Sequence, residues 1–417
     1  MKLIIRKRYL KRLDSCRGTP DIKVITGIRR CGKSKLLESF ASKVQQEEPD
    51  CNIIKINFNL AEFEEMREYH RLYDCVSRRY REGVNNYLMI DEVQLCDGFE
   101  TAINSFHAEE KYDIYITGSN AFLSSSDLAT LFVGRTFEVS VFPFSFEEFL
   151  EYFPVQKSVY DSLDEYLKMG GMPGSYLYKD EEMRRTYLNR DVLNALIVRD
   201  IVQKQKIRNV PLLEKLLDYL SSNIGSMCSI RNIEKKLDEF GMSANHETVQ
   251  KYIGYLTNAF AFYRIRRFDL KGMKYLQSDD KYYLADPAFR YSLLGNKNAD
   301  YGHVLENVVA MELLRRGYEV YVGKLYQKEV GFIALKDGKR LYFQVSYDIR
   351  SPETLERELA PLRMIPDNYP KTLIARTYQP EYEIDGISII DHFPCSSAKT
   401  DEQLHIYGNP HERIHHR

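Results

Sequence analysis

Apolar residues in this chain fall into two rhythms. Short, nearly continuous apolar runs read as buried strands, and stretches with apolar residues every three or four positions read as amphipathic helices. Over the first 145 residues the two alternate. Strands are predicted at 22–26, 51–58, 87–91, 112–119 and 136–142, and helices at 33–47, about 62–82, 98–109 and 124–133. This alternation predicts an α/β domain, a parallel sheet with helices on both faces. In SFEEFLEYF, the aromatics at 146, 149 and 153 share one helical face and predict a core-packing helix.

Beyond residue 205 the pattern changes. LLEKLLDYLSSNIG reads as a helix ending at Gly225, and SIRNIEKKLDEFG as a second stopped by Gly241. A third follows in SANHETVQKYIGYLTNAF, with Ser243 or Asn245 as its cap. FYRIRRFD and KYYLADP then read as two strands. Three helices and a two-stranded wing, over 206–295, are the pattern of a winged helix-turn-helix. Its third helix would enter a DNA major groove, with His246, Thr248, Lys251 and Tyr252 near the base edges. Residues 300–400 read as helix, three strands, helix, two strands, with Lys336-Asp337-Gly338 as a hairpin turn. The last stretch, 401–417, is a polar tail carrying His405, His411, His415 and His416.

At 417 residues the chain is long enough for two or three domains. Its net charge of −1 does not by itself announce a nucleic-acid partner. Seven cysteines without a CxxC pair suit a reducing cytoplasm and exclude a disulfide frame. No apolar run is long enough to span a membrane, so no membrane partner is expected. Residues 1–12 hold six Lys/Arg and no acid, read as a basic arm on the protein's own surface.

Candidate chemistry sits where the first strand gives way to the first long helix. Gly27, Gly32, Lys33 and Ser34 complete G-x-x-x-x-G-K-[ST]. The glycines let the backbone wrap its N–H groups around phosphates, and Lys33 adds a point charge for the β- and γ-phosphates. Gly27, Arg30, Cys31, Gly32, Lys33, Ser34 and Lys35 form the expected ATP cradle, with the Arg29 and Arg30 side chains facing outward and, as the alternative, one of them contacting a neighbour or the lid. Asp91 ends the run YLMID, where an acid can hold Mg²⁺ together with the Ser34 hydroxyl. Glu92 is then placed to activate the attacking water. The run Thr117-Gly118-Ser119-Asn120 offers a polar group to that water or to the γ-phosphate.

The chain resembles AAA-type ATPases. More narrowly, it is similar to bacterial and archaeal ATP-binding proteins that join such a core to a winged helix and a C-terminal restriction-endonuclease-like domain of unknown function. The matching runs are GIRRCGKS at 27–34, LMIDEVQ at 88–94, ITGSNAFL at 116–123, LFVGR at 131–135, VFPFSFEEF at 141–149, GGMP at 170–173 and VRDIV at 198–202. The resemblance implies a P-loop ATPase core over 1–145, a helical lid over 146–205, the winged helix over 206–295 and the nuclease-like domain over 296–400. It implies Ser119 as the γ-phosphate sensor and Arg135 as a finger acting on a neighbouring subunit's nucleotide, hence a homo-oligomer. It places Pro173 near the adenine, after Gly170 and Gly171, and makes Arg199 a further candidate sensor.

Nucleases of that fold need a carboxylate on the first helix, an aspartate on the second strand and an acid-x-lysine on the third. Glu306 fills the first place. Gly331 stands where the aspartate is expected, and Gln344 and Ser346 where the acid and lysine are expected, with Glu329 and Asp348 as possible replacements on the same strand faces. The expectation is an inactive scaffold or partner-binding domain. Three functions stay open in order: an ATPase that gates the winged-helix and nuclease-like domains, a slow or non-hydrolysing switch bound to a protein partner, and an ATP-dependent nuclease. Duplex DNA through the winged helix and a protein partner both remain open.

Overall fold

A computed structural model describes residues 3–118, 130–132, 134–154, 158–272, 274–275, 279–295 and 300–391. The chain folds as two compact units. The first comprises Met1–Phe144, Met172–Val210 and Tyr255–Ala261, and the second Ser145–Gly171, Pro211–Gly254 and Phe262–Arg417. No helix among the described residues is long and apolar enough to cross a membrane.

The first unit is built on five parallel strands. They are β1 (Ile22–Thr26), β2 (Asn52–Asn57), β3 (Asn86–Asp91), β4 (Asp113–Thr117) and β5 (Thr136–Ser140), in the order β2-β3-β4-β1-β5. Every residue of β1 and β3 is buried, as expected of strands covered on both faces. The basic arm folds as helix α1 (Lys7–Ser15), burying Tyr9, Leu10 and Leu13. Helices α2 (Lys33–Glu47), α3 (Tyr69–Arg78) and α4 (Phe99–Glu109) follow β1, β2 and β3. Lys23, fully buried in β1, pairs with Asp113 at 2.6 Å.

The helix expected over 62–82 is in fact two pieces, a 3₁₀ turn at Ala61–Met66 and then α3. Between them the chain is pulled into a bridge with Asp97: Asp97 N–H donates to Arg67 O at 2.8 Å and Tyr69 N–H to Asp97 O at 3.0 Å. Those bonds use backbone groups that a continuous helix would need. Of the helix expected over 124–133, only Thr130 to Phe132 lie among the described residues before Gly134.

After Met172 the chain makes a 3₁₀ turn at Pro173–Leu177 and then a long helix from Glu181, capped by Asp180. From Tyr187 to Asn194 and again from Leu196 to Gln203 this helix is π-wound, a rare geometry that favours functional sites.

In the second unit, the run at 145–153 forms helix Phe146–Tyr152 with a Ser145/Glu148 capping box. Helices Val210–Ser222 and Ile230–Glu239 follow, then His246–Asn258, whose residues from Tyr255 are counted in the first unit. Asn245 caps the third, accepting from Thr248 N–H at 2.9 Å. Strands β6 (Met227–Cys228), β7 (Phe262–Ile265) and β10 (Asp280–Leu284) form an antiparallel sheet in the order β6-β10-β7. The run FYRIRRFD, expected as one strand, breaks at Arg266: β8 (Arg267–Asp269) leaves this sheet and pairs parallel with β11 (Glu319–Leu325). The reason is visible at Arg266, whose carbonyl already accepts from Val322 N–H of β11 at 2.9 Å.

The larger sheet has the order β15-β16-β14-β13-β12-β11-β8-β9. It contains β9 (Lys274–Tyr275), β11 (Glu319–Leu325), β12 (Lys328–Lys336), β13 (Lys339–Asp348), β14 (Lys371–Arg376), β15 (Tyr382–Ile384) and β16 (Ile387–Asp391). Asp337 and Gly338, both at positive φ (50° and 74°), make the expected tight hairpin between β12 and β13. Helices Tyr301–Arg315 and Pro352–Arg363 accompany this sheet.

Candidate functional site

The cradle is built by backbone geometry first. After β1 the chain turns through Gly27 (φ 139°) and Gly32 (φ 105°) into α2. A Cβ at Gly27 would lie 2.1 Å from the Val141 carbonyl oxygen, so only glycine lets the loop pass. At Gly32 there is room for a side chain, and the left-handed backbone alone selects glycine. Cys31 is buried beneath the loop, its thiol donating to Val141 O at 3.3 Å. Arg6, also buried, donates to Cys31 O at 3.3 Å and to Phe142 O at 2.9 Å, tying the loop to the segment after β5.

Lys33 is buried, and its ammonium donates to the carbonyls of Gly27 (2.9 Å) and Ile28 (3.3 Å). Ser34 Oγ donates to Asp91 Oδ1 at 3.0 Å. Thr117 Oγ1, at the end of β4, donates to the same oxygen at 2.5 Å and accepts from Glu92 N–H at 3.1 Å. Asp91 Oδ2 is buried with no hydrogen-bond partner among the described residues. A hydroxyl beside an unfilled buried carboxylate oxygen is a hard donor set, and it fits Mg²⁺. Burial pushes the Asp91 carboxyl up, while the Thr117 and Ser34 hydroxyls pull it down; a divalent cation would favour the ionised form.

Glu92 sits in a left-handed conformation (φ 57°), an uncommon one for this residue. Its Oε2 accepts from Gln94 Nε2 at 2.5 Å. Lys35 pairs with Glu38 at 2.6 Å on the exposed side of α2. Pro173 lines a small cleft beside Gly32, together with Leu3, Ile4 and Phe144. Arg135 is exposed, and its carbonyl accepts from Ile22 N–H at 2.9 Å at the start of β1. Ser119 lies outside the described residues, as does the tail, and nothing is described of the Arg199 side chain.

The expectation that Arg29 faces outward does not hold. Its Nη1 lies 3.3 Å from Oδ1 of Asp200, a residue only 6% exposed. Arg30 remains half-exposed, with its guanidinium over the Tyr187 ring (5.3 Å) and 4.0 Å from Asp191 Oδ1. Burial pushes the Asp200 carboxyl up; Arg29 and Lys33 draw it back, and Glu92 adds to the rise. Sequence reasoning singled out VRDIV but not its acid. The available signal was an aspartate inside an apolar helical run.

Over 393 residues the chain is 37% identical to an uncharacterized protein of Haemophilus influenzae, a match covering 93% of this chain and 97% of that one. The chain belongs to that protein's family. Within it, residues 19–150 match the AAA domain and residues 160–300 match a domain of unknown function (DUF8612). A second relative, an uncharacterized protein of Methanocaldococcus jannaschii, is 29% identical over 358 residues, covering 81% of this chain and 77% of that one. Among solved structures, the AMPPCP-bound DnaA of Aquifex aeolicus gives a TM-score of 0.31 at 15% identity, over 61% of this chain and 89% of that one. The cradle and the Asp91 strand both lie inside the AAA domain, so the P-loop core read from the sequence is that of an AAA-domain protein.

In this AAA-domain protein the acids of the C-terminal region are engaged with one another's partners. Lys281 Nζ, buried in β10, lies 3.0 Å from Glu306 Oε1 and 2.6 Å from Glu329 Oε1. Tyr283 OH also donates to Glu306 Oε1, at 2.7 Å. At the two strand positions, Gly331 N–H donates to Gln344 Oε1 (2.9 Å) and Gln344 Nε2 to Glu358 Oε2 (2.8 Å). Asp348 pairs with Arg350 rather than joining Glu306. Among the described residues no cluster of three or more His, Cys, Asp or Glu could hold a metal.

Proposed function

We propose that this protein binds ATP with Mg²⁺ in the Gly27–Ser34 cradle and hydrolyses it. The observation that carries the reading is Asp91: its Oδ1 accepts from the Ser34 hydroxyl, and its buried Oδ2 has no hydrogen-bond partner among the described residues. Lys33 would exchange its two carbonyl contacts for the β- and γ-phosphates. Ser34 and Asp91 would hold the cation, which neutralises charge between those phosphates. Thr117 orients Asp91 and fixes the backbone of Glu92, and Glu92 takes the proton of the attacking water. Ser119 is assigned as the γ-phosphate sensor and Arg135 as a finger for a neighbouring subunit, which makes the working form a homo-oligomer. Pro173 takes the adenine side, with Leu3 and Ile4.

The helices at 210–258 with strands β6, β7 and β10 support a winged helix-turn-helix, since the first strand pairs with the last and the second flanks it. The α/β region from Tyr301 onward supports a nuclease-like frame whose acids are neutralised by Lys281, so a gated scaffold fits better than a nuclease. Nucleotide turnover would then gate these parts. A second reading is favoured by one contact: Gln94 occupies Glu92 Oε2, which suits a slow switch that binds a protein partner in its ATP form. Steady-state ATP hydrolysis with and without duplex DNA, against Lys33→Ala as the blank, tests the proposal. DNA-stimulated turnover supports an ATPase coupled to the winged helix. Nucleotide binding without turnover supports the switch, and no binding above the blank overturns both.

A further inference from the structure

We propose that Asp200 is a positioning residue of the phosphate cradle: it holds the Arg29 guanidinium at the rim, and an arriving triphosphate takes that guanidinium from it. Nucleotide binding and the placement of the 181–205 helix then form one equilibrium. The inference rests on the ATP-binding reading above.

Three observations carry it. Arg29 lies between the two loop glycines, so its side chain starts at the cradle itself. Among the described residues Asp200 reaches it with a single contact of 3.3 Å while remaining 6% exposed, within electrostatic range of Lys33 and Glu92. A carboxylate taken out of water needs close, well-made partners, and one long contact is a poor return for that burial. The charge is therefore better explained by what it does to the cradle than by what it adds to the fold.

The winding of the helix is the third observation. Asp191 and Asp200 are nine residues apart, and they face Arg30 and Arg29, consecutive residues of one loop. At an α-helical step of about 100° per residue, nine steps place two side chains on opposite faces. A π-helix, with about 4.4 residues per turn, brings them round two turns to the same face. The π-wound segments Tyr187–Asn194 and Leu196–Gln203 contain both aspartates. The unusual winding thus turns two acids toward two successive arginines.

A triphosphate in the cradle brings negative charge toward Asp200 and offers Arg29 a stronger, charge-assisted partner. Arg29 exchanges acceptors, and the helix loses its tie to the loop. Asp200 accordingly competes with the nucleotide. Removing its charge should tighten ATP binding, whereas removing a structural residue should weaken it.

The test is calorimetric titration of the full chain with Mg²⁺ and either ATP or ADP, on wild type, Asp200→Asn, Arg29→Ala, the double variant and the Lys33→Ala blank. Asp200→Asn should bind ATP about fivefold more tightly, the scale of a partly exposed ion pair, with a smaller gain for ADP. Arg29→Ala should weaken ATP binding, and by a larger factor in the Asp200→Asn background. Equal or weaker ATP binding by a folded Asp200→Asn protein, or additive effects in the double variant, overturns the proposal. Hydrogen exchange of the wild-type protein decides independently of any variant's folding: exchange over 187–203 should rise with ATP and less with ADP, and no change overturns the proposal. If wild type binds ATP no better than Lys33→Ala, it is the ATP reading that has failed, and this inference falls with it.

Discussion

Gln94 Nε2 donates to Glu92 Oε2 at 2.5 Å, across a turn that holds Glu92 in a left-handed conformation. The carboxylate assigned to activate water is thereby held by its own loop. Gln94→Ala should free it and raise steady-state turnover several-fold. Glu92→Gln should lower turnover by about 10²- to 10⁴-fold, the usual worth of a positioned base, while ATP stays bound. Single-turnover hydrolysis with the bound nucleotide quantified checks both, and unchanged turnover in Glu92→Gln would sink the base assignment.

Thr117 links Asp91, the residue assigned to the cation, to Glu92, the residue assigned as base, through two hydrogen bonds. Thr117→Val keeps the shape and removes the hydroxyl. Asp91 then loses its orienting partner, and the Mg²⁺ concentration for half-maximal turnover should rise about 10- to 100-fold. Titrating Mg²⁺ at saturating ATP measures this. A fall in rate with no change in Mg²⁺ requirement would place Thr117 elsewhere in the mechanism.

Arg135 is exposed at the edge of its unit, a suitable place for a residue that serves a neighbour. Arg135→Ala and Lys33→Ala proteins should each be inactive alone. Mixed, they should regain part of the activity, because some sites would pair an intact cradle with an intact arginine. Absence of any recovery across mixing ratios would confine Arg135 to its own subunit.

Lys281 shares its single charge between Glu306 and Glu329. Burial works against its ammonium, but the two acids outweigh it and hold its pKa above the usual lysine range. A pKa raised in the folded state gives stability that is fully present below the unfolded value and lost only as pH climbs through the folded one. The contribution should therefore be flat across neutral pH and fade only in strong alkali. Lys281→Met leaves two acids uncompensated and should destabilise the second unit by about 3–5 kcal/mol. Adding Glu306→Gln should recover part of it in thermal melts, and failure to recover would mean the lysine acts by packing.

The same network bears on nuclease activity. Plasmid incubated with the full chain and Mg²⁺ or Mn²⁺ should remain intact. Cleavage that disappears in Glu306→Ala would show that Lys281 yields its place to a metal.

The Gly27–Ser34 loop was legible in the sequence because its motif spacing is local, even though one of its constraints, the Val141 carbonyl, is distant in sequence. Gly27 is fixed by a carbonyl 2.1 Å from its missing Cβ, and Gly32 by its own φ. Strand positions in the first unit were legible because central parallel strands are apolar on both faces. What sequence rhythm could not show was where a backbone group finds its partner. The 61–78 stretch has helical periodicity, yet Asp97 breaks it from outside. Asp200 looked like one polar residue in an apolar helix, and its meaning depends on Arg29, 171 positions earlier. The pairing of Lys281 with Glu306 was likewise invisible, because the chain brings the two together from separate elements.

The break at Arg266 has a mechanical consequence. One residue separates β7, in the three-stranded sheet, from β8, in the eight-stranded one. The linking residue is itself pinned, since the Arg266 carbonyl accepts from Val322 N–H at 2.9 Å. Torque applied to the three helices and their small sheet passes through β8 and this bond into β11, inside the large sheet. A turn of the small sheet relative to the large one would therefore have to break the bond between Val322 N–H and the Arg266 carbonyl.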